Sequence, residues 1–179
     1  MGPGPIFLLY SENMASINVS SSGEVEFLGK TYKGALGKSG VVRNKKEGDL
    51  ATPVGCFQIR EIFYRSDRLS KPETVLPVRP LEKNDGWCDD IENSSYNKLV
   101  KLPYDADHER MWREDHLYDI VVVLGYNDEP VISGKGSGIF MHVAREAYSP
   151  TVGCVALAQT DLLEILKAAD DNTLVCVNE

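Results

Sequence analysis

The sequence predicts a mostly β fold with a long irregular insertion and one clear helix near the C-terminus. Three observations lead to this prediction: short alternating or β-branched runs, a central stretch without periodicity, and a single segment with helical signals. The chain has 179 residues, of which 42% are hydrophobic and 26% charged. That is the size and balance of one ordinary globular domain.

The first third of the chain predicts short strands joined by turns. Residues 24–28 alternate between polar and apolar side chains, and the Ser-rich segment 20–23 before them is typical of a hairpin-like connection. On the same patterns we expect the strands of this region at residues 16–20, 24–28, 31–36 and 55–63. Lys45 and Lys46 lie in a polar segment between them and are expected in a solvated loop.

Residues 66–103 predict the irregular insertion. Pro, Asn, Asp and Ser are frequent there and hydrophobic periodicity is weak. Loops of this length inside a compact domain tend to be functional or disordered. Trp87 and Trp112 fall in or near the insertion, so we expect it to be packed and ordered.

The second half of the chain predicts the inner strands and the helix. Residues 119–124 contain a run of Ile and Val and should form a central strand that is buried on both faces. The Asp-Leu-Leu-Glu sequence that starts at residue 161 has the signature of a helix N-terminus. We expect the other elements as an inner strand over 137–143, a short strand over 154–157, a helix over 161–169 and a last strand over 173–177.

Charge and hydropathy limit the partners. A formal net charge of −8 and a pI near 4.9 disfavour nucleic acid and anionic membrane surfaces, because both are bound mainly through Lys and Arg. No stretch approaches the roughly 20 apolar residues of a membrane span, so no transmembrane segment is expected. The apolar run 6–10 lacks the basic start and the length of a signal peptide. Residues 1–14 are therefore interpreted as an N-terminal extension or an engineered remnant.

The four cysteines are too few for a disulfide scaffold and contain no Cys-x-x-Cys pair. Cys56 and Cys176 stand in apolar surroundings, and we interpret both as small buried hydrophobes. Cys88 and Cys154 have more unusual neighbours. A zinc site of His142, Cys154 and Cys88 is conceivable, but the sequence around Cys154 favours a nucleophile. We therefore expect neither a metal nor a cofactor.

The most informative stretch is 139–157. A strand carries His142, a polar turn follows, and Gly153-Cys154 stands at the start of the next apolar run. A cysteine nucleophile reacts as a thiolate, and a nearby imidazole can take the proton and form an ion pair with it. Backbone N–H groups at Gly153 and Cys154 could then bind an oxyanion. On these residues alone, a buried core cysteine remains the stronger alternative.

Two blocks of sequence resemble the L,D-transpeptidase catalytic domain family, also called the YkuD domain. Thr151-Val152-Gly153-Cys154-Val155 is similar to the family's Ser/Thr-x-Gly-Cys signature, which follows a strand-borne His. Upstream, 48–57 is similar to the family's Thr-Pro-x-Gly motif. The resemblance covers roughly 19–177 and implies a β-sandwich-like fold, with residues 15–179 as a single catalytic domain.

The resemblance implies an acyl transfer on peptidoglycan stem peptides. Cys154 would attack the carbonyl of the third stem residue, expel D-alanine and form a thioester, and the amine of a second stem would then attack to give a 3→3 cross-link. His142 would be the acid–base group, oriented through a backbone carbonyl as in many members. The chain departs from better-known members at Val152, which replaces His, and at Ala156, which replaces Arg or Asn. These changes affect the acceptor-side contacts.

Six further residues are candidates for substrate binding, and Arg145, Tyr118, His116 and Trp87 each have a structural alternative. Arg145 is a candidate to hold a substrate carboxylate, and the alternative is a solvated loop charge. Tyr118 either supplies a hydroxyl or caps the core. The complete set of substrate-binding candidates is Thr151, Val152, Arg145, Tyr118, His116 and Trp87.

The resemblance also implies carbapenem-type inhibitors as partners and a periplasmic or cell-envelope location, although no signal peptide is visible. Two alternative functions remain open on the sequence. One is an L,D-carboxypeptidase or cross-link hydrolase that uses the same Cys154 and His142 pair. The other is a non-catalytic peptidoglycan-binding module that has kept the fold.

Overall fold

The structure is a computed structural model that describes residues 15–179. The interpretation of residues 1–14 lies outside this range. The described residues form fourteen strands and one α-helix, α1 (Gln159–Ala168). The strands are β1 (Ser16–Val19), β2 (Glu24–Phe27), β3 (Lys30–Ala35), β4 (Val41–Val42), β5 (Thr52–Pro53), β6 (Gly55–Tyr64), β7 (Val78–Pro80), β8 (Asp85–Cys88), β9 (Leu99–Lys101), β10 (His108–Arg110), β11 (Ile120–Leu124), β12 (Phe140–Val143), β13 (Val155–Leu157) and β14 (Leu174–Val177).

The main sheet has the strand order β11-β12-β13-β3-β2-β1-β14-β6-β7, and β6 also pairs with β11. Strand β6 is ten residues long, so its first part pairs with β14 and its second part with β11. The ladder therefore closes on itself around one core, and the predicted mostly β, sandwich-like fold is confirmed. No helix of residues 15–179 is long and apolar enough to cross a membrane.

Alternation of side chains explains the strands that the sequence predicted. In β2, Val25 and Phe27 are buried while Glu24 and Glu26 are exposed, as expected for a strand with one solvated face. All five residues of β11 are buried, which confirms the prediction of a strand covered on both faces. The inner strand over 137–143 is shorter than predicted, because regular pairing begins only at Phe140.

The insertion is more regular than the sequence predicted. Its strands β8 and β9 form a small antiparallel sheet with β10, which follows the insertion, and β8 lies in the centre. The carboxylate of Asp85 is fully buried and accepts hydrogen bonds from Lys101 Nζ at 2.5 Å and Arg79 Nη1 at 3.2 Å. These strands have three or four residues and few alternating hydrophobic side chains, so their sequence carries no strong strand signal. Charged pairs and packing against β11 and β12 stabilise them instead.

Helix α1 begins two residues before the predicted start. Its N-cap is Ala158, which has no side-chain oxygen to cap the helix, and Asp161 lies in the first turn. A carboxylate in the first turn interacts favourably with the helix dipole. Asp161 therefore correctly indicated a helix N-terminus, but it lies inside the first turn and not at the start of the helix. Leu162, Ile165 and Leu166 recur at helical spacing and are fully buried in the main core.

Cys56 and Cys176 form a disulfide, so their interpretation as separate buried hydrophobes was wrong. The two residues are 120 apart in sequence, but they are direct partners in the antiparallel register of β6 and β14. Cys56 lies on the exposed side of β6. The disulfide links β14, the last strand of the chain, to β6. Strand β6 closes the sheet because it pairs with both β14 and β11.

Candidate active site

Neighbouring parallel strands bring His142 and Cys154 together. In the register of β12 and β13, His142 is the partner of Ala156, and Cys154 lies two residues before Ala156. Side chains two residues apart in a strand share a face, so His142 and Cys154 lie diagonally on one face of the sheet. The structure therefore places the predicted nucleophile and base beside one cleft.

The Cys154 thiol is buried and bound to the backbone of the segment that precedes β12. Sγ accepts a hydrogen bond from the Phe140 N–H at 3.4 Å, and the thiol donates to the Gly138 carbonyl at 3.3 Å. Only 4% of Cys154 is exposed. The hydrogen bond that the thiol donates is therefore directed to a carbonyl oxygen and not to the imidazole.

Burial favours the neutral form of both groups. It raises the pKa of the Cys154 thiol to about 12 and lowers the pKa of the His142 imidazole to about 4. Arg113 and Arg145 lower the imidazole pKa further. Burial therefore favours a neutral thiol beside a neutral imidazole over the thiolate–imidazolium pair expected from the sequence.

A backbone carbonyl orients His142, as the family resemblance implied. Nδ1 lies 2.9 Å from the Val143 carbonyl oxygen, which can only accept, so Nδ1 carries the hydrogen. This tautomer leaves Nε2 unprotonated and able to take a proton. The Tyr118 ring meets the imidazole edge-on, with ring centroids 5.4 Å apart, and packs beside it.

The turn that carries the nucleophile is fixed by the Thr151 hydroxyl. Thr151 Oγ1 donates to the Cys154 carbonyl at 2.7 Å and accepts from the Gly153 N–H at 3.1 Å. Gly153 has a φ of +141°, and a Cβ there would lie 2.9 Å from the Ala51 carbonyl oxygen, so only glycine fits. The Gly153 N–H, expected as an oxyanion donor, is thus engaged at rest, whereas among residues 15–179 the Cys154 N–H has no backbone partner.

Two cavities meet at Cys154. The first has a volume of about 220 Å³ and the second of about 180 Å³. Both are lined by Glu109, Tyr118, Val152 and Cys154. The first cavity, which we call the basic arm, also contains His142, Thr151, Arg113 and Arg145. The second, which we call the acidic arm, also contains Trp87, Lys45, Glu47 and Asp89.

Most of the predicted binding residues reach this cleft. Arg145 and Thr151 line the basic arm, and Trp87 lines the acidic arm. Val152 is 72% exposed on the ridge between the arms. Trp87 is largely buried, and its indole N–H donates to Asn97 at 3.0 Å, so the ring mainly packs against Phe140.

His116 does not reach the cleft, so its prediction was wrong. Its side chain is 78% exposed, and Nδ1 lies 2.7 Å from the buried carboxylate of Asp119. Arg68 binds the other oxygen of that carboxylate at 2.7 Å. A buried carboxylate is stable only with hydrogen-bond or charged partners. Because His116 is one of the two partners of Asp119, its side chain stays on the outer surface.

Sequence reasoning missed Lys45 and Glu109. Lys45 was expected in a solvated loop but is only 5% exposed; its ammonium pairs with Asp49, and its stem packs against Gly136. Glu109 lies on β10, just after the insertion, and accepts a hydrogen bond from the Tyr118 hydroxyl at 2.7 Å. Neither residue stands in a recognisable motif, and only the fold brings them to the cleft.

The sequence model of the L,D-transpeptidase catalytic domain matches residues 21–177, which is most of the chain. The chain belongs to the L,D-transpeptidase catalytic domain family. A search of curated protein sequences finds no match. The assignment therefore rests on the family model, together with the fold and the His–Cys arrangement described above.

The solved structures that match this chain include L,D-transpeptidases and a cell shape determining protein. L,D-transpeptidase 1 of Mycobacterium tuberculosis is 15% identical, with a TM-score of 0.43 over 93% of this chain and 60% of that one. The helical cell shape determining protein Pgp2 of Campylobacter jejuni is 18% identical, with a TM-score of 0.47 over 93% and 48%. A further structure shows LdtMt1 in complex with imipenem. This chain spans about half to three-fifths of the length of these proteins.

Proposed function

We propose that this protein is a cysteine acyltransferase that forms 3→3 cross-links between peptidoglycan stem peptides. The observation that carries the proposal is a buried thiol at the junction of two cavities, with an imidazole on the same face. Transfer between two peptides needs such access from two sides, because the acceptor must reach the thioester. Membership of the L,D-transpeptidase catalytic domain family supports peptide carbonyls of the cell wall as the donors.

In the first half-reaction, Cys154 Sγ attacks the donor carbonyl as its proton passes to His142 Nε2. A new C–S bond forms, the carbonyl oxygen becomes an oxyanion, and the Cys154 N–H stabilises it. The imidazolium then gives its proton to the leaving amine, and the C–N bond to D-alanine breaks. The product is a thioester on Cys154 and a neutral His142.

The neutral resting pair fits this sequence of steps. An imidazole with a pKa of about 4 is unprotonated at pH 7, so it is ready to accept the thiol proton. A thiol with a pKa of about 12 does not ionise by itself, so attack waits for a substrate. Proton transfer and C–S bond formation are therefore expected to be coupled, which limits side reactions of a free thiolate.

We propose that the protein works in the cell envelope. The Cys56–Cys176 disulfide supports this location, because disulfides form and persist in oxidising compartments such as the periplasm. We also propose that carbapenems acylate Cys154, since a strained β-lactam carbonyl mimics the donor carbonyl. Cys154 lines both arms of the cleft.

Hydrolysis is the second candidate, and two side chains favour it. Val152 and Ala156 line the basic arm with apolar groups, at the positions where better-known family members carry polar side chains. Fewer polar contacts would hold an acceptor peptide less firmly, and water would then resolve the thioester to a tripeptide. This outcome uses the same first half-reaction.

Muropeptide analysis tests the proposal. Purified protein is incubated with tetrapeptide-bearing muropeptides, and the products are identified by mass spectrometry. We expect 3→3 dimers and free D-alanine, and no turnover with Cys154→Ala. Tripeptides without dimers would establish the hydrolase, and no product with either protein would leave only a binding module.

A further inference from the structure

The two arms of the cleft carry opposite charge. The basic arm contains Arg113 and Arg145. The acidic arm contains the carboxylates of Glu47 and Asp89, and its one cation, Lys45, is already paired with Asp49. A donor stem that ends in a carboxylate and an acceptor stem that brings an ammonium would therefore enter from different sides.

Glu109 is the carboxylate that both arms share. Oε1 accepts the hydrogen bond from the Tyr118 hydroxyl and lies 3.7 Å from Arg113 Nη1. Oε2 makes no hydrogen bond with any residue from 15 to 179. The side chain is 33% exposed, so it is held from one side and remains open to the cleft on the other.

The other two carboxylates of the acidic arm are less suited to contact a substrate. Glu47 Oε2 accepts hydrogen bonds from the Tyr96 hydroxyl and from Ser137 Oγ, the latter at 2.8 Å. Asp89 Oδ1 is buried and has no hydrogen-bond partner within the described part of the chain. Both contribute negative charge, but only Glu109 also lines the basic arm.

We infer that Glu109 binds the primary ammonium of the acceptor peptide beside the Cys154 thioester and takes a proton from it. This inference rests on the proposed function and extends it by assigning the acceptor side. Strand β10 fixes the backbone of Glu109 through pairing with β8, and the Tyr118 hydroxyl fixes its carboxylate. A charge-assisted hydrogen bond from an ammonium to Oε2 would therefore be preorganised.

The second half-reaction starts from the thioester on Cys154. An acceptor R–NH₃⁺ gives one proton to the Glu109 carboxylate and becomes an amine. Its nitrogen attacks the thioester carbonyl, so that a C–N bond forms and the C–S bond breaks. His142 takes the second proton from nitrogen and passes it to the departing sulfur, and Glu109 releases its proton to water.

Burial supports the proton-accepting role. It raises the pKa of the Glu109 carboxyl above its ordinary value, which brings the carboxylate closer to the basicity needed near neutral pH. The Tyr118 hydroxyl and Arg113 oppose this shift, whereas Asp89 and Asp115 add to it. Cys154 faces the same carboxylate, which disfavours a thiolate in the absence of substrate.

The test compares Glu109→Gln with Glu114→Gln. The glutamine keeps an oxygen for the Tyr118 hydroxyl but removes the negative charge. Glu114 is an exposed residue outside both arms, so its substitution is a matched control for charge. The readouts are acylation of Cys154 by a carbapenem, followed by intact mass, and the ratio of amide to tripeptide formed from an unlabelled tetrapeptide donor. The acceptor is an isotope-labelled tripeptide with a free side-chain amine, so that its mass differs from that of the hydrolysis product.

In Glu109→Gln we expect the ratio of amide to tripeptide to decrease by a factor at least ten times larger than the decrease in the acylation rate. The reason is that removal of a general base lowers the rate of the step it serves by about 10²–10⁴-fold. Glu109→Asp should recover part of the ratio, and Glu114→Gln should match the wild type. An unchanged ratio in Glu109→Gln, or equal losses of acylation and transfer, would overturn the inference. The inference would also be overturned if the wild-type protein is acylated at Cys154 but forms no amide with the acceptor amine. If the wild type is never acylated, the proposed function itself fails.

Discussion

Removal of the Cys56–Cys176 disulfide should destabilise the protein strongly. The bond joins residues 120 apart in sequence, at the point where β14 meets β6 and closes the sheet. In the chain-entropy model, a loop of this length stabilises the folded state by about 4–5 kcal/mol, because the unfolded chain loses conformational freedom. For a domain of this size, that energy corresponds to a fall in Tm of roughly 10–15 °C.

The assay is thermal unfolding of the wild type and of the double variant Cys56→Ser/Cys176→Ser, each with and without a thiol reductant. The reduced wild type should unfold at nearly the same temperature as the double variant. The double variant should not respond to reductant, which separates loss of the disulfide from effects on Cys88 and Cys154. A wild-type Tm that changes by less than about 1 °C on complete reduction would refute the claim that the disulfide stabilises the fold by restricting the unfolded chain.

The burial of Cys154 and His142 has two measurable consequences. Burial raises the pKa of the Cys154 thiol to about 12, so the rate of its alkylation by iodoacetamide should rise about tenfold per pH unit from pH 6 to 9. A rate that reaches a plateau below pH 8 would instead show a thiolate–imidazolium pair. Burial lowers the pKa of His142 from 6.5 to about 4, so the folded state binds this proton less readily than the unfolded chain. Stability from this group is complete above pH 6.5 and is lost as the pH falls towards 4, by about 3 kcal/mol. Urea unfolding at pH 7 and pH 4 measures this decrease in the free energy of unfolding, which should be larger in the wild type than in His142→Gln. Equal decreases in the two proteins would contradict the role of His142 in the pH dependence.

The sequence predicted the strands whose own side chains alternate or are uniformly apolar. Strands β2, β6 and β11 have such patterns because each faces the main core directly. Strands β8 and β10 were missed because their stability comes from partners distant in sequence, such as Lys101 for Asp85. A pattern within one segment does not contain that information.

The proximity of Cys154 and His142 was predictable because the two residues lie on adjacent strands close in sequence and within a recognisable signature. His116 was placed wrongly because the sequence does not show that its neighbour Asp119 is buried and binds its side chain. Lys45 and Glu109 reach the cleft from segments remote from Cys154, so only the fold reveals them. The disulfide was missed for the same reason.

Cysteine acylation tests the central claim most directly. Wild type and Cys154→Ala are incubated with a tetrapeptide muropeptide, quenched within one turnover and examined by intact mass and peptide mapping. We expect the wild type to gain the mass of the donor without D-alanine, attached at Cys154, and Cys154→Ala to fold normally but gain no mass. An adduct at Cys88, or equal turnover by Cys154→Ala and the wild type, would contradict the assignment of Cys154 as the nucleophile.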